Sequence, residues 1–130
     1  MGTRLTIRLD FSGDRRVGPG KIRLLELIDQ TGSISAAGRA MAMSYRRAWL
    51  LVDTLNTSFR RPVVEAHPGG RRGGGARLTP FGRELIARYR TLERDAVDAA
   101  KGHVGAIEDA LAPQPSPPKG RNGDQDSISR

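Results

Sequence analysis

Hydrophobic and polar residues alternate near the start of the chain before the pattern changes to a helical spacing. Leu5, Ile7 and Leu9 are separated by polar residues, and this period of two predicts a half-buried strand over residues 4–10. Ser12-Gly13-Asp14 follows, a sequence typical of a turn. We therefore expect a short strand and a turn before the first helix.

Two helices are predicted after this turn. Pro19 introduces a helix over residues 19–31, in which apolar residues recur every three or four positions. Gly32 should end it, because glycine readily adopts the left-handed conformation found at helix C-termini. Ser33 or Ser35 can cap the next helix, over residues 34–41, which is short and rich in alanine and glycine. Such small side chains allow another helix to approach closely.

A third helix is predicted over residues 45–59, with Ser44 as its N-cap. Trp49 lies at the edge of its apolar face, where core packing is the favoured interpretation over a ligand contact. For Tyr45, near the helix start, a structural role and a phosphate contact both stay open. The apolar face itself consists of Ala48, Val52, Leu55 and Phe59.

A β-hairpin is predicted after the third helix. Val63 and Val64 indicate one strand and residues 76–79 the other. The glycine-rich residues 67–75 between them predict an irregular loop with a basic tip, formed by Arg71 and Arg72.

A long helix should follow the hairpin. Thr79 is placed to cap it, and Pro80 suits its first turn because the missing N–H costs nothing there. Its apolar stripe continues to Leu111, which corresponds to about 48 Å at about 1.5 Å per residue. One small domain cannot cover that length, so a second copy is expected to pack on it. The candidate dimerisation residues are Leu85, Tyr89, Leu92, Ala96 and Val104.

The pattern predicts three segments: a folded domain over residues 1–79, the long helix over residues 80–112 and a disordered tail over residues 113–130. The tail is rich in proline, serine, glycine and charge. The order of strand, helix, close helix pair, basic hairpin and long helix predicts a mostly α fold with a small β-hairpin. That arrangement is a winged helix-turn-helix with a long C-terminal dimerisation helix.

The composition indicates what kind of partner this fold binds. The 130 residues carry a net charge of +8, almost all of it from arginine, and contain no cysteine. From Arg39 to Arg77 there are eight arginines against only Asp53 and Glu65. Basic charge is thus concentrated in the segments that a winged helix-turn-helix presents to DNA, which favours nucleic-acid binding.

The same segments resemble a known family. Gly32-Ser33-Ile34-Ser35-Ala36-Ala37-Gly38, together with Met43-Ser44-Tyr45-Arg46-Arg47-Ala48-Trp49, is similar to the helix-turn-helix of the ModE family of molybdate-responsive repressors. LysR-type regulators share part of this pattern. The glycine-rich wing followed by Leu78-Thr79-x-x-Gly82 is more like ModE, and the resemblance covers about residues 5–95.

The resemblance implies a DNA-binding module. Full-length ModE-family proteins continue into molybdate-binding domains with a Ser-Ala-Arg-Asn-Gln-type motif, and this sequence has no such motif. We therefore expect no bound cofactor, and a separate molybdate-binding or effector protein is a candidate partner. The candidate DNA-binding residues are Ser33, Ser35, Arg39, Ser44, Tyr45, Arg46, Arg47, Leu50, Arg71, Arg72 and Arg77.

The sequence therefore predicts a sequence-specific, dimeric transcription regulator that binds double-stranded DNA at an inverted repeat. The alternative is a non-specific architectural protein of the nucleoid, which would use the same charge without reading bases. His67 and His103 are isolated, and the carboxylates of the long helix lie on its polar face. Neither a metal site nor an enzyme is expected. No apolar stretch is long enough to span a bilayer, and a cytoplasmic location on the nucleoid is expected.

Overall fold

The computed structural model describes residues 2–70 and 73–114. These residues form a mostly helical winged helix-turn-helix with small antiparallel β-pairs, as the sequence predicts. Along the chain the elements are β1 (Leu9–Asp10), a 3₁₀ turn (Ser12–Asp14), β2 (Arg16–Val17), α1 (Pro19–Thr31), α2 (Ile34–Ala40), α3 (Tyr45–Ser58), β3 (Val64–Gly70), β4 (Gly73–Leu78) and α4 (Pro80–Asp109).

The strand predicted over residues 4–10 is wrong in its extent. Only Leu9–Asp10 pairs, antiparallel with β2, and residues 2–8 form no regular element. The reason is that alternation reports half-burial rather than strand pairing: Ile7 and Leu9 are partly buried, but β2 offers only two residues to pair with. The predicted turn is confirmed, and both Gly13 and Asp14 have a positive φ within it.

The predicted helix boundaries are confirmed within one or two residues at α1, α2 and α3. α1 begins with Pro19 in its first turn, and Gly32 ends it at φ 72° with its N–H bonded to the carbonyl of Ile28. One face of α1 is fully buried through Ile22, Leu25 and their neighbours. The spacing of apolar residues therefore predicted this helix correctly.

The glycine-rich segment is more regular than the sequence predicts. Residues 67–75 were expected to form a loop, but β3 extends to Gly70 and β4 starts at Gly73, with an irregular register between His67 and Gly70. Strand pairing joins backbone groups, so a lack of large side chains does not prevent it. β4 is also joined to the end of α1, because the N–H of Ala76 donates to the carbonyl of Gly32 over 2.9 Å.

A single hydrophobic core links α1, α2, α3, the hairpin and the first part of α4. Its largest fully buried side chains come from β2, α1, α3 and the hairpin region, and Phe81, Leu85 and Ile86 of α4 pack against it. Tyr89 is 2% exposed, and its hydroxyl donates to the carbonyl of Ile7 over 2.5 Å. Burial raises the pKa of this phenol.

The hairpin and α4 meet at the backbone of Val63. The carbonyl of Val63 accepts from the N–H of Thr79 over 3.0 Å, and the Thr79 hydroxyl donates to the carbonyl of Pro62 over 2.7 Å. The same hydroxyl accepts from the N–H of Gly82 over 2.9 Å, which caps α4 as predicted. Gly82 lies against the Val63 carbonyl so closely that a Cβ would overlap it. A glycine is therefore required at this position.

An ion-pair network joins α1 to α4. Arg90 forms paired hydrogen bonds to both carboxylate oxygens of Glu26, at 2.8 and 3.0 Å, and a third to Glu93 at 2.7 Å. These hydrogen bonds hold the pKa of Glu26 below its usual value and raise that of Arg90. The partly buried network fixes the first part of α4 against α1.

The chain divides into two compact units, residues 1–100 and residues 101–130. The predicted boundary between a winged domain at residues 1–79 and a separate helix stays a prediction, and most of the predicted disordered tail, residues 113–130, lies outside the described residues. Within the described part of the chain, no helix is both long enough and apolar enough to cross a membrane.

The close approach at Gly82 gives a first prediction. Gly82→Ala should lower the free energy of unfolding by about 1–3 kcal/mol or more, because the methyl group forces α4 away from Val63. Gly102→Ala is the matched control in the same helix, where a Cβ meets nothing within 4 Å. It should raise the free energy by about 0.5–1 kcal/mol. Urea denaturation measures both, and effects of the same sign would contradict this account.

Candidate nucleic-acid interface

The helix-turn-helix is held together by the contact of α2 with α3. Gly38 lies so near Ala48 that a Cβ on Gly38 would come within 2.9 Å of the Ala48 methyl group. The prediction that small residues allow a close helix approach is confirmed. The connecting turn places Ala42 in the left-handed region at φ 57°, and the N–H of Met43 returns to the carbonyl of Gly38 over 3.0 Å.

α3 has one buried and one exposed face. Ala48, Val52 and Leu55 are buried, as predicted. Trp49 is 43% exposed, so the interpretation of this side chain as a core residue is wrong. The helix turns about 100° per residue, and the step from Ala48 carries Trp49 past the edge of the core. The side chains exposed along α3 are Tyr45, Arg46, Arg47, Trp49, Leu50, Asp53, Thr54 and Thr57.

Arg46 and Arg47 provide the charge of this face. In the part of the chain that the structure describes, neither forms an ion pair, whereas Arg77, Arg83 and Arg90 all do. Both stand in the first turn of α3, where the unsatisfied N–H groups and the helix dipole also favour an anion. The N-terminal end of α3 is therefore an exposed positive surface that no described acidic side chain neutralises.

The serines predicted as DNA contacts have structural roles. Ser33 caps α2 by accepting from the N–H of Ala36 over 3.0 Å, and Ser44 caps α3 by accepting from the N–H of Arg47 over 3.1 Å. Ser35 accepts a hydrogen bond from Arg39 over 2.8 Å. These bonds position the two helix N-termini, and a further contact of the serines or Arg39 with DNA stays a prediction.

Asn56 fixes α3 to the hairpin, a role that the sequence reasoning missed. Its Oδ1 accepts from the N–H groups of Val63 and Val64, at 2.8 and 3.1 Å, and its Nδ2 donates to the carbonyl of Val64 at 3.0 Å. The signal was an amide near the end of a helix, because asparagine is a weak helix former and often bonds to backbone instead. These three bonds set the position of the wing relative to α3.

Among the described residues, the wing carries one arginine, Arg77, that could contact a nucleic acid. Arg77 faces Glu65 across the two strands, with 3.3 Å between Nε and Oε1, and both side chains are exposed. An exposed pair of this kind contributes little to stability, so Arg77 can exchange its partner for a phosphate. Arg71 and Arg72 were predicted as wing contacts, and they lie outside the described residues.

The residues predicted for dimerisation differ in their surroundings. Tyr89 is buried within its own unit, and Leu85 packs against the same core, so their apolar character is explained without a partner. Leu92, Ala96 and Val104 are only partly buried. Their predicted role in a dimer stays a prediction. Three other large apolar side chains on or just after α4 are more exposed: Val97 (43%), Ile107 (66%) and Leu111 (69%).

Curated relatives connect this geometry to a family. The chain is 46% identical over 108 residues to the molybdenum-pterin-binding protein MopA of Rhodobacter capsulatus, and 41% identical over 93 residues to the molybdenum transport protein ModE of Azotobacter vinelandii. These matches cover 81% and 70% of this chain. Over the matched residues, the chain is therefore homologous to proteins of the ModE family. No family model matches it.

The family match covers only part of each relative. The chain spans 41% of MopA and 34% of the Azotobacter ModE. It is also 39% identical over 71 residues, 55% of the chain and 27% of the relative, to the DNA-binding transcriptional dual regulator ModE of Escherichia coli strain K12. Among the described residues of this chain, no group of three acidic or histidine side chains could hold a metal ion.

The wing anchor gives the second prediction. Asn56→Ala should lower the free energy of unfolding by about 1–3 kcal/mol, because it leaves the backbone groups of Val63 and Val64 without their partners. Thr57→Ala is the control, since the Thr57 hydroxyl bonds only to carbonyls of α3 itself. Urea denaturation measures the free energy of unfolding of both variants. If Asn56→Ala is as stable as Thr57→Ala, the hydrogen bonds of Asn56 do not stabilise the fold.

Proposed function

We propose that this chain is the DNA-binding part of a sequence-specific transcription regulator. The observation that carries the proposal is the exposed face of α3, with Arg46 and Arg47 at its N-terminal end, neither of which forms an ion pair within the described residues. Homology to the ModE family supports it, because one homologue is named as a DNA-binding transcriptional dual regulator. The proposed role is binding rather than catalysis.

The geometry suggests how DNA would be contacted. A major groove about 12 Å wide accepts one α-helix, so α3 would enter it with its N-terminal end towards the bases. Arg46 and Arg47 can each donate two hydrogen bonds to guanine or to a phosphate. Arg77 on the wing would contact the neighbouring backbone, which adds affinity without reading sequence.

Dimerisation through α4 is the second part of the proposal. Leu92 and Ala96 present partly exposed apolar surface on α4, and Val97 beside them is more exposed. Packing two copies along this helix would bury that surface. A symmetric dimer would place two recognition helices about one DNA turn apart, roughly 34 Å, and would require an inverted-repeat operator.

A link to molybdenum is proposed from the named relatives alone. One of them is called a molybdenum-pterin-binding protein and another a molybdenum transport protein, and this chain spans less than half of either. We propose that a separate molybdate-binding or effector protein supplies any such response. Addition of molybdate to this chain should accordingly leave its DNA affinity unchanged.

The experiment that tests the function separates specific from architectural binding. Sequences bound by the chain are selected from random duplexes, and affinity for a selected site and for random DNA is then measured by fluorescence anisotropy at several salt concentrations. A specific regulator should prefer the selected site by about 10³-fold or more. Equal affinity, with the same salt dependence, would contradict the proposal and identify an architectural protein.

The recognition helix gives the third prediction. Arg46→Ala or Arg47→Ala should weaken binding to the selected site by about 1–3 kcal/mol where the arginine contacts a base. Arg88→Ala is the matched control, because Arg88 lies on α4 and pairs with Glu84 at the surface. Anisotropy titrations measure all three. If both α3 variants bind like the parent, α3 is not the recognition helix.

The dimer gives the fourth prediction. Leu92→Asp should put an unpaired charge into the interface and weaken association by several kcal/mol, while the winged domain stays folded because Leu92 lies outside the core. Thr91→Asp adds the same charge at the exposed neighbouring position and should leave association intact. Light scattering measures the mass of each. A parent that is monomeric at micromolar concentration, with and without DNA, would refute the dimer.

A further inference from the structure

Three large apolar side chains of α3, the proposed recognition helix, are exposed to solvent. Tyr45 is 56% exposed, Trp49 43% and Leu50 52%. Trp49 is one turn beyond Tyr45, so these two are neighbours, and Leu50 is one turn beyond Arg46, which lies beside both Trp49 and Leu50 on the exposed face. A single exposed apolar residue is ordinary, but several together usually mark a contact surface.

The charged residues beside this surface indicate its partner. Arg46 is adjacent to both Trp49 and Leu50 on the helix, and within the described residues it has no acidic partner. An apolar protein surface would have to desolvate that guanidinium without compensating its charge. A DNA groove satisfies both features, because phosphates and guanines pair with arginine while one base presents an apolar group.

That apolar group is the 5-methyl group of thymine, which projects into the major groove. We infer that Trp49 and Leu50 recognise thymine methyl groups in the operator, with Arg46 contacting an adjacent base or phosphate. This inference rests on the proposed function, since it requires α3 to enter the major groove. It assigns a specificity-determining role to Trp49, a side chain that the fold leaves 43% exposed.

Replacement of thymine by uracil tests the inference directly, because it removes only the 5-methyl group. After selection of bound sequences from random DNA, each thymine of the selected site is replaced in turn by deoxyuridine. At one or two positions per half-site affinity should fall about three- to fivefold, the effect expected for losing one buried methyl group. A selected site without a thymine of this kind would overturn the inference.

A double-mutant cycle assigns the methyl group to a side chain. Leu50→Ala and Trp49→Ala should each weaken binding to the thymine site, and at least one should make the uracil replacement almost without effect. Leu5→Ala is the matched control, because Leu5 is an exposed apolar side chain (38%) that lies outside α3 and α4, and it should keep the full uracil effect. Uracil effects that are unchanged in both α3 variants would overturn the inference.

Tryptophan fluorescence provides an independent measurement, since Trp49 is the single tryptophan of the chain. Its emission should shift or be quenched on binding the selected site, in step with the anisotropy of labelled DNA. Unchanged emission at saturation would overturn the role of Trp49. Selection that enriches no sequence would refute the proposed function and this inference together, whereas enrichment of a site that tolerates uracil throughout would refute the inference alone.

Discussion

The peptide group of Val63 is the point on which the arrangement of the molecule depends. Its N–H donates to Asn56 of α3, and its carbonyl accepts from Thr79 at the start of α4. Gly82 packs directly against the same carbonyl. Val63 is itself fully buried. One backbone unit therefore joins α3, the hairpin and α4, and buried polar groups of this kind are costly to leave unpaired.

This junction divides α3 into two functional ends. The C-terminal end is anchored to the hairpin through Asn56, and the middle is pressed against α2 at the contact between Gly38 and Ala48. The N-terminal end carries Arg46, which makes no ion pair within the described chain. A side chain that reads bases must be held by a rigid element, and α3 is fixed at the end opposite the proposed DNA contact.

Local sequence signals predicted the ends of the helices. The features that the sequence did not predict depend on contacts between residues that are distant along the chain. Gly32 and Ser44 mark helix ends through their own conformation and hydrogen bonds, so the sequence places these ends almost correctly. The strand over residues 4–10 failed because pairing depends on a partner strand that alternation does not reveal. Trp49 was misassigned because helical spacing fixes a direction but not the edge of the core. Asn56 was missed because its partners are seven and eight residues away.

Amide hydrogen exchange at Val63 and Thr79 tests most directly whether the junction at Val63 keeps the wing and α4 attached to α3. Both N–H groups are hydrogen-bonded across elements, so they should exchange only when the whole domain unfolds. The free energy of exchange at each should equal the free energy of unfolding obtained from urea denaturation under the same conditions. Exchange at either amide through local opening, at a free energy several kcal/mol lower, would show that the wing and α4 separate from α3 without unfolding and would contradict this account.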